Sequence, residues 1–301
     1  MHQNHFEELE KILKDNLGNR GLKEAFLEGE LKSAAESLLD GDTVFIVTGF
    51  VIKDAVVGET DGPIGAVSLA GALEQLGKNV LFITDMYSAN MLKKCADVRG
   101  VTGPIEVINH DISRWLSQNL LKIYKPSHII AIERPGKAMD GKCYSMRGED
   151  LSDIVPIIDT LFEEAAEMGI TTIGIGDGGN EIGMGKIRSS VIKSVPMGET
   201  ICASFASDYL IVAGVSNWGA HALAAALSIL AQRNLLHNIN KELEMLRRLV
   251  EAGAVDGCTK KRTMTVDGLS LEENLKVFLA LKDAVEEQIH QTRNVPAQAR
   301  I

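Results

Sequence analysis

Thr171-Thr172-Ile173-Gly174-Ile175 runs straight into Gly176-Asp177-Gly178-Gly179-Asn180-Glu181. The first five residues are an apolar, β-branched run of strand length, and the six that follow are turn formers carrying the side chains of Asp177, Asn180 and Glu181. Runs of the same kind lie at Thr43 to Thr48, Asn79 to Thr84, His128 to Ile132 and Tyr209 to Val215, with a weaker one at Ile105 to Asn109. Between them lie helix-like stretches at Ile64 to Leu76, Ser88 to Ala96, Ser113 to Tyr124, Val155 to Met168 and Trp218 to Gln232. Strands that read as unbroken apolar runs are buried on both faces, and their alternation with helices predicts a doubly wound α/β fold: a mostly parallel sheet with helices on both faces.

Outward from the sheet the pattern is helical. Phe6, Leu9, Ile12, Leu13 and Leu17, then Leu31, Ala34, Ala35 and Leu38, recur at helical spacing, so residues 1–40 read as a helical lead-in that stops at Asp40-Gly41-Asp42. After Asn240, helices at Lys241 to Glu251 and Leu271 to Ile289 flank the polar stretch Gly253 to Gly268, and residues 241–301 read as a helical C-terminal extension, an appendage or lid on the sheet. With no long linker and no repeat, one α/β domain over residues 1–301 is expected. The apolar faces of the last two helices serve either packing or self-association as a homodimer.

Hydrophobic residues make up 45% of the 301, which excludes a disordered chain, and a net charge of -10 argues against nucleic acid or anionic lipid as a partner. Cys95, Cys143, Cys202 and Cys258 stand singly, without Cys-x-x-Cys spacing, which fits a reducing compartment better than a zinc ribbon or disulfide framework. The first residues mix acidic and apolar side chains, unlike a signal or transit peptide, and no apolar run approaches the roughly 18 residues of a membrane span. A cytoplasmic protein with no membrane partner is expected.

In an open parallel sheet ligands bind beyond the carboxyl ends of the strands. Those ends are polar throughout: Gly58-Glu59-Thr60-Asp61-Gly62-Pro63, Thr84-Asp85, Glu133-Arg134-Pro135-Gly136, Asp177 to Gly185, and Ser216-Asn217-Trp218-Gly219. One such loop is ordinary turn chemistry, but five on one edge point to an active site. Asp177 and Glu181 offer hard oxygen ligands of the kind Mg²⁺ or Mn²⁺ prefers, with Asp61 and Asp85 placed to complete a carboxylate cluster; the competing reading makes them caps of the following helix. Arg134 and Arg147 either grip a substrate carboxylate through two parallel hydrogen bonds or pair with Glu133 and Asp150. Ser216 and Asn217 either bond the ligand or cap the Trp218 helix. Gly174 to Gly179 fits G-x-G-x-x-G, yet Asp177 puts a negative charge where a pyrophosphate would sit and Gly183 and Gly185 weaken any helix there, so no nucleotide cofactor is expected.

The longer motifs are more specific: Glu59-Thr60-Asp61-Gly62-Pro63-Ile64-Gly65-Ala66, Glu133-Arg134-Pro135-Gly136, Met146-Arg147-Gly148, Gly174 to Gly185, Val215-Ser216-Asn217-Trp218-Gly219, Val255-Asp256-Gly257 and Thr265-Val266-Asp267-Gly268-Leu269. In order and wording they resemble the D-glutamate cyclase family, specifically its C-terminal catalytic-like domain, over most of the chain after about Leu31. The resemblance implies a hydro-lyase that dehydrates D-glutamate, a small acidic amino acid, to 5-oxo-D-proline. Reconciled with that chemistry, Asp61, Asp177 and Glu181 hold a divalent cation, manganese or magnesium, that polarises the γ-carboxyl. Arg134 or Arg147 fixes the α-carboxylate, Gly178, Gly179 and Asn180 approach the substrate with Ser216 and Asn217, and Glu133 or Asp85 is the base. Two other classes stay open: a metal-dependent hydrolase or phosphatase of a small anionic metabolite, and a non-catalytic sensor of a small molecule.

Overall fold

A computed structural model describes residues 3–18 and 21–294. Its strands, in chain order, are β1 (Thr43–Thr48), β2 (Val51–Ile52), β3 (Val57–Gly58), β4 (Asn79–Thr84), β5 (Ile105–Val107), β6 (His128–Ile132), β7 (Thr171–Gly176) and β8 (Tyr209–Val212). Six of them form one parallel sheet in the order β5-β4-β1-β6-β7-β8, while β2 and β3 pair as a small antiparallel hairpin. The chain winds outward from β1 through β4 to β5, then returns to β6 and winds the other way. The direction of winding therefore reverses between β1 and β6, which opens a crevice at their carboxyl ends.

The helices are α1 (Gln3–Asp15), α2 (Glu30–Leu39), α3 (Pro63–Gln75), α4 (Ala89–Arg99), α5 (Arg114–Tyr124), α6 (Asp159–Glu167), α7 (Arg188–Ser194), α8 (Gly198–Ile201), α9 (Ser216–Leu230), α10 (Ile239–Ala252) and α11 (Leu271–Asn294). Alternate strand residues serve opposite faces: Val44 and Ile46 join the core beneath α3 and α9, while Phe45 and Val47 join the core with Leu121 of α5 and Phe162 of α6. The first of these layers is double. α3 and α9 lie inside a shell that includes α1, α2, α4, α10 and α11, and Ser216 through Ile229 are all buried. A helix enclosed on every side has no use for a polar face, which is why α9 reads as an apolar stretch while α10 is amphipathic. α3 and α9 cross so closely that a Cβ on Gly65 would lie 2.8 Å from the Cα of Asn217.

The doubly wound sheet is therefore as the apolar runs predicted, with local differences. The stretch predicted as a helix from Val155 to Met168 turns helical at Asp159, because Arg134 Nη2 donates to the Pro156 carbonyl at 2.7 Å and Ile157 N donates to Asp111 Oδ1 at 2.9 Å. The last strand ends at Val212 and not Val215, where Gly214 packs so tightly on Asn16 that a Cβ would sit 2.0 Å from its carbonyl oxygen. Residues 1–2 and 19–20 of the expected lead-in and 295–301 of the expected extension lie outside the described residues. No described helix is long and apolar enough to cross a membrane.

Candidate active site

The crevice is built first from two helix N-termini that cap each other. Asp61, one residue before Gly62 at the head of α3, accepts hydrogen bonds from the amides of Ser216 at 2.7 Å and Asn217 at 2.8 Å in the first turn of α9. In return Asn217 Oδ1 accepts from the amides of Gly62 at 3.1 Å and Gly65 at 2.7 Å in the first turn of α3. Asp61 also accepts from its neighbour Gly62 at 2.9 Å. The first-turn amides of a helix lack intrahelical partners and carry partial positive charge, so a buried carboxylate between two such ends is held in place.

The Gly176 loop closes on itself in a similar way. Glu181 accepts from three successive amides, Asp177 at 2.9 Å, Gly178 at 2.6 Å and Gly179 at 2.7 Å, forming a concave backbone cradle filled by the chain's own carboxylate. Asn180 Nδ2 donates to the Tyr144 carbonyl at 2.7 Å, which pins the loop to the 144–150 segment. The next ordered element after Glu181 is a single 3₁₀ turn at Gly185–Ile187, so the amides Glu181 satisfies are those of its own loop and not of a following helix.

Glu133 and Arg134 leave β6 in opposite directions. Arg134 is fully buried; it pairs with Asp85 and donates to the Gly49 and Pro156 carbonyls at 3.0 and 2.7 Å. Two residues separately suggested for the site thus satisfy each other beneath its floor. Glu133 has a left-handed backbone, φ 46°, of the kind that costs an ordinary residue on the order of 1–3 kcal/mol and recurs at functional sites. Its carboxylate accepts the Ser216 hydroxyl at 2.5 Å. Burial, and then the carboxylates of Glu181, Asp61, Glu59 and Asp267, push the Glu133 carboxyl well above its ordinary range. Gly62 is obligatory beside it: its φ is 97° and an added Cβ would lie 2.8 Å from the Glu133 Cβ.

Glu133 and Asn180 line a cavity of about 270 Å³, near the lower end of small-ligand sites, whose lining does not include Asp61, Asp85, Arg134, Asp177, Glu181, Ser216 or Asn217. Glu59, Glu133, Glu149 and Asp267 supply its acidic groups, Asn180 and Ser145 its neutral polar ones, and Lys53, Arg147 and Lys260 its cationic ones. Arg147 is held there by a 3.3 Å bond to the Cys258 carbonyl, and Lys260 pairs with Asp54. Two carboxylate groups converge: Asp61, Asp177 and Asp267 place one oxygen each within 4.8 Å of one another, as do Glu133, Asp177 and Glu181.

Glu59 and Asp267 were not singled out from sequence as site residues, nor were Lys53 and Lys260. The 253–268 stretch lies over the cavity, joined to the sheet side by the Thr60 N to Val255 O bond at 3.0 Å and contributing Gly257, Cys258, Lys260 and Asp267 to the lining. Asp256 folds it by accepting from Cys258, Thr259 and Gly268 amides at 2.9, 2.7 and 2.8 Å. The signal was present in the Asp256-Gly257 and Asp267-Gly268 pairs, but one sequence does not show that a loop so distant in the chain returns to the crevice.

The model of the family described as D-glutamate cyclase-like, C-terminal, matches residues 9–282. Among curated proteins, the chain is 34% identical over 299 residues to D-glutamate cyclase, mitochondrial, of Homo sapiens, an alignment that takes in 87% of this chain and 48% of that protein. The chain therefore spans about half the length of the curated relative it matches.

Proposed function

The chain belongs to the D-glutamate cyclase-like family, and from that premise we propose that it is a lyase converting D-glutamate to 5-oxo-D-proline and water. The observation that carries the reading is the mixed charge of the cavity, with acidic groups at Glu59, Glu133, Glu149 and Asp267 and cationic ones at Lys53, Arg147 and Lys260. Glutamate has the complementary pattern, one ammonium and two carboxylates. In this reading Arg147 holds the α-carboxylate and the ammonium points to Glu133.

Ring closure joins the α-nitrogen to the carbon of the γ-carboxyl group and expels one of that group's oxygens as water. The ammonium gives up two protons over the reaction and the departing oxygen takes up two, so the site needs a proton shuttle and no other reagent. A carboxyl with a raised proton affinity suits both transfers: it accepts from the ammonium and delivers to the leaving oxygen. The Ser216 hydroxyl fixes the orientation of the Glu133 carboxyl. Holding the substrate folded, with nitrogen and γ-carboxyl carbon about 3–3.5 Å apart, contributes several kcal/mol of prepaid entropy.

The oxygen donors of Asp61, Asp177 and Asp267 fit a hard divalent cation such as Mg²⁺ or Mn²⁺. Such an ion, when bound, would polarise the γ-carboxyl. The free thiols of all four cysteines support a reducing compartment, and the cytoplasm remains our reading; "mitochondrial" is said of the human relative. Self-association as a homodimer and the reading of the chain as one domain also remain proposals.

The test is to incubate the purified chain with D- or L-glutamate, with and without Mn²⁺ or Mg²⁺, and to quantify 5-oxoproline by chiral chromatography. D-selective turnover is expected. Binding of D-glutamate without turnover would replace the lyase with a sensor, and release of phosphate from small phosphate esters in place of 5-oxoproline would make it a phosphatase.

A further inference from the structure

On the far side of α9 from the sheet lies a second group of ligating side chains, outside the crevice. His221 is on α9, His237 lies in the turn before α10, and Glu242 is on α10; each offers one ligand atom within 4.8 Å of the other two. His237 Nε2 lies 2.6 Å and His221 Nε2 3.6 Å from Glu242 Oε2. These values bracket the ligand-to-ligand separation of roughly 3.3 Å in a tetrahedral zinc site with bonds of about 2.0–2.1 Å.

A second, independent feature is the state of His221. It is 1% exposed, and among the described residues neither of its ring nitrogens finds a hydrogen-bond partner, although a buried polar group left so costs on the order of 1–3 kcal/mol. Burial holds the His221 imidazole down to about 4 and that of His237 to about 3, so both rings are neutral at physiological pH and keep a lone pair to give. Without an ion His237 Nε2 hydrogen-bonds Glu242 Oε2 at 2.6 Å; on binding one, Nε2 would give up that proton while Ser68 Oγ of α3, 3.3 Å from Nδ1, would serve as the outer partner that accepts from Nδ1–H. Phe278 of α11 walls the group, stacked on His237 at 4.8 Å between ring centres and edge-on to His221 at 4.9 Å.

We propose that His221, His237 and Glu242 form a structural site for a zinc-type divalent transition ion that ties α9 to α10. Two imidazoles and a carboxylate are a recurrent zinc donor set, whereas the oxygen donors of the crevice suit harder ions. His221 and His237 are 1% and 4% exposed, so no substrate reaches the group and its role is to hold helices together and not to catalyse.

The test uses the full chain, stripped with chelator and titrated with Zn²⁺ alone. About one equivalent should bind and raise the melting temperature. His221→Gln and Glu242→Gln should each cut affinity by more than the roughly 10–100-fold that loss of an outer hydrogen-bond partner costs. Asp177→Asn, which alters the crevice, should leave zinc binding intact. Should either cluster variant fail to fold, Co²⁺ bound to the unaltered chain still decides, since a four-coordinate site gives intense visible absorption and a six-coordinate one does not. No binding at micromolar Zn²⁺, loss of binding in Asp177→Asn, unchanged binding in both cluster variants, or a six-coordinate cobalt spectrum would each overturn the proposal.

Discussion

Asn217→Ala tests whether the reciprocal caps carry the architecture of the crevice or whether Asn217 is mainly a ligand contact. The side chain accepts from Gly65 N at 2.7 Å and Gly62 N at 3.1 Å and donates to the Thr60 carbonyl at 3.2 Å. After truncation Gly62 N keeps its 2.9 Å bond to Asp61, but Gly65 N, in the first turn of α3, loses the acceptor that Asn217 supplied. An orphaned buried amide costs about 1–3 kcal/mol, and the weakened Gly62 and Thr60 contacts add roughly 1 kcal/mol, for a loss of about 2–4 kcal/mol. At an unfolding entropy of about 2.1 cal/mol/K per residue, a chain of this length should melt roughly 3–6 °C lower. Differential scanning calorimetry reads the loss, and D-glutamate turnover of the folded fraction is measured beside it. A melting temperature within about 1 °C of the parent, combined with a KM raised tenfold or more, would refute the capping argument and return Asn217 to the substrate.

Glu133→Gln should lower turnover by about 10²–10⁴-fold, the usual contribution of a positioned acid or base, while raising stability at neutral pH. The folded-state proton affinity of Glu133 is raised, so the stability tied to it is complete below the unfolded carboxyl value and is lost as pH rises toward the folded one; glutamine escapes that loss. Denaturant unfolding should show the variant's advantage growing with pH, and a pH-independent difference would exclude the carboxyl as its source. Asp159, buried at the start of α6, has its carboxyl pushed up from 3.8 to about 6 by burial, with Lys137 N donating to it at 2.9 Å. By the same sign, wild type loses about 3 kcal/mol between those two values, and Asp159→Asn should gain a comparable amount at pH 7 and nothing at about pH 3. Identical pH–stability curves for the two proteins would show that the Asp159 carboxyl is not strained by its burial.

The sheet was legible because its strands are buried on both faces and so spell themselves as apolar runs whose ends coincide with polar loops. Helix limits were less so: the shortened start of α6 depends on Arg134 and Asp111 holding residues 156–157, contacts made by residues far away in the chain. The same distance hid half of the cavity. Glu133 and Asn180 follow the central strands β6 and β7 and could be suspected from position alone, whereas Asp267 and Lys260 arrive from a loop more than 200 residues beyond β1. Arg134 illustrates the opposite error of inference. An arginine at a strand end looks available to a substrate until burial and the Asp85 pairing are known.

The carboxylates of the crevice are alike in sequence and are separated by what surrounds each. Asp61 lies among three amides drawn from two helix N-termini, Glu181 within three successive loop amides, and Asp85 against the Arg134 guanidinium. Each of those carboxylates is fixed in orientation by the donors around it. Glu133 is pushed toward the protonated form by burial and by the field of the carboxylates around it, with the Ser216 hydroxyl donating to it. Sequence left Glu133 and Asp85 equal as candidates for the base. A group that takes a proton and returns it within one turnover needs a raised affinity, and in the proposed reaction that favours Glu133 over Asp85, which is buried against the Arg134 guanidinium.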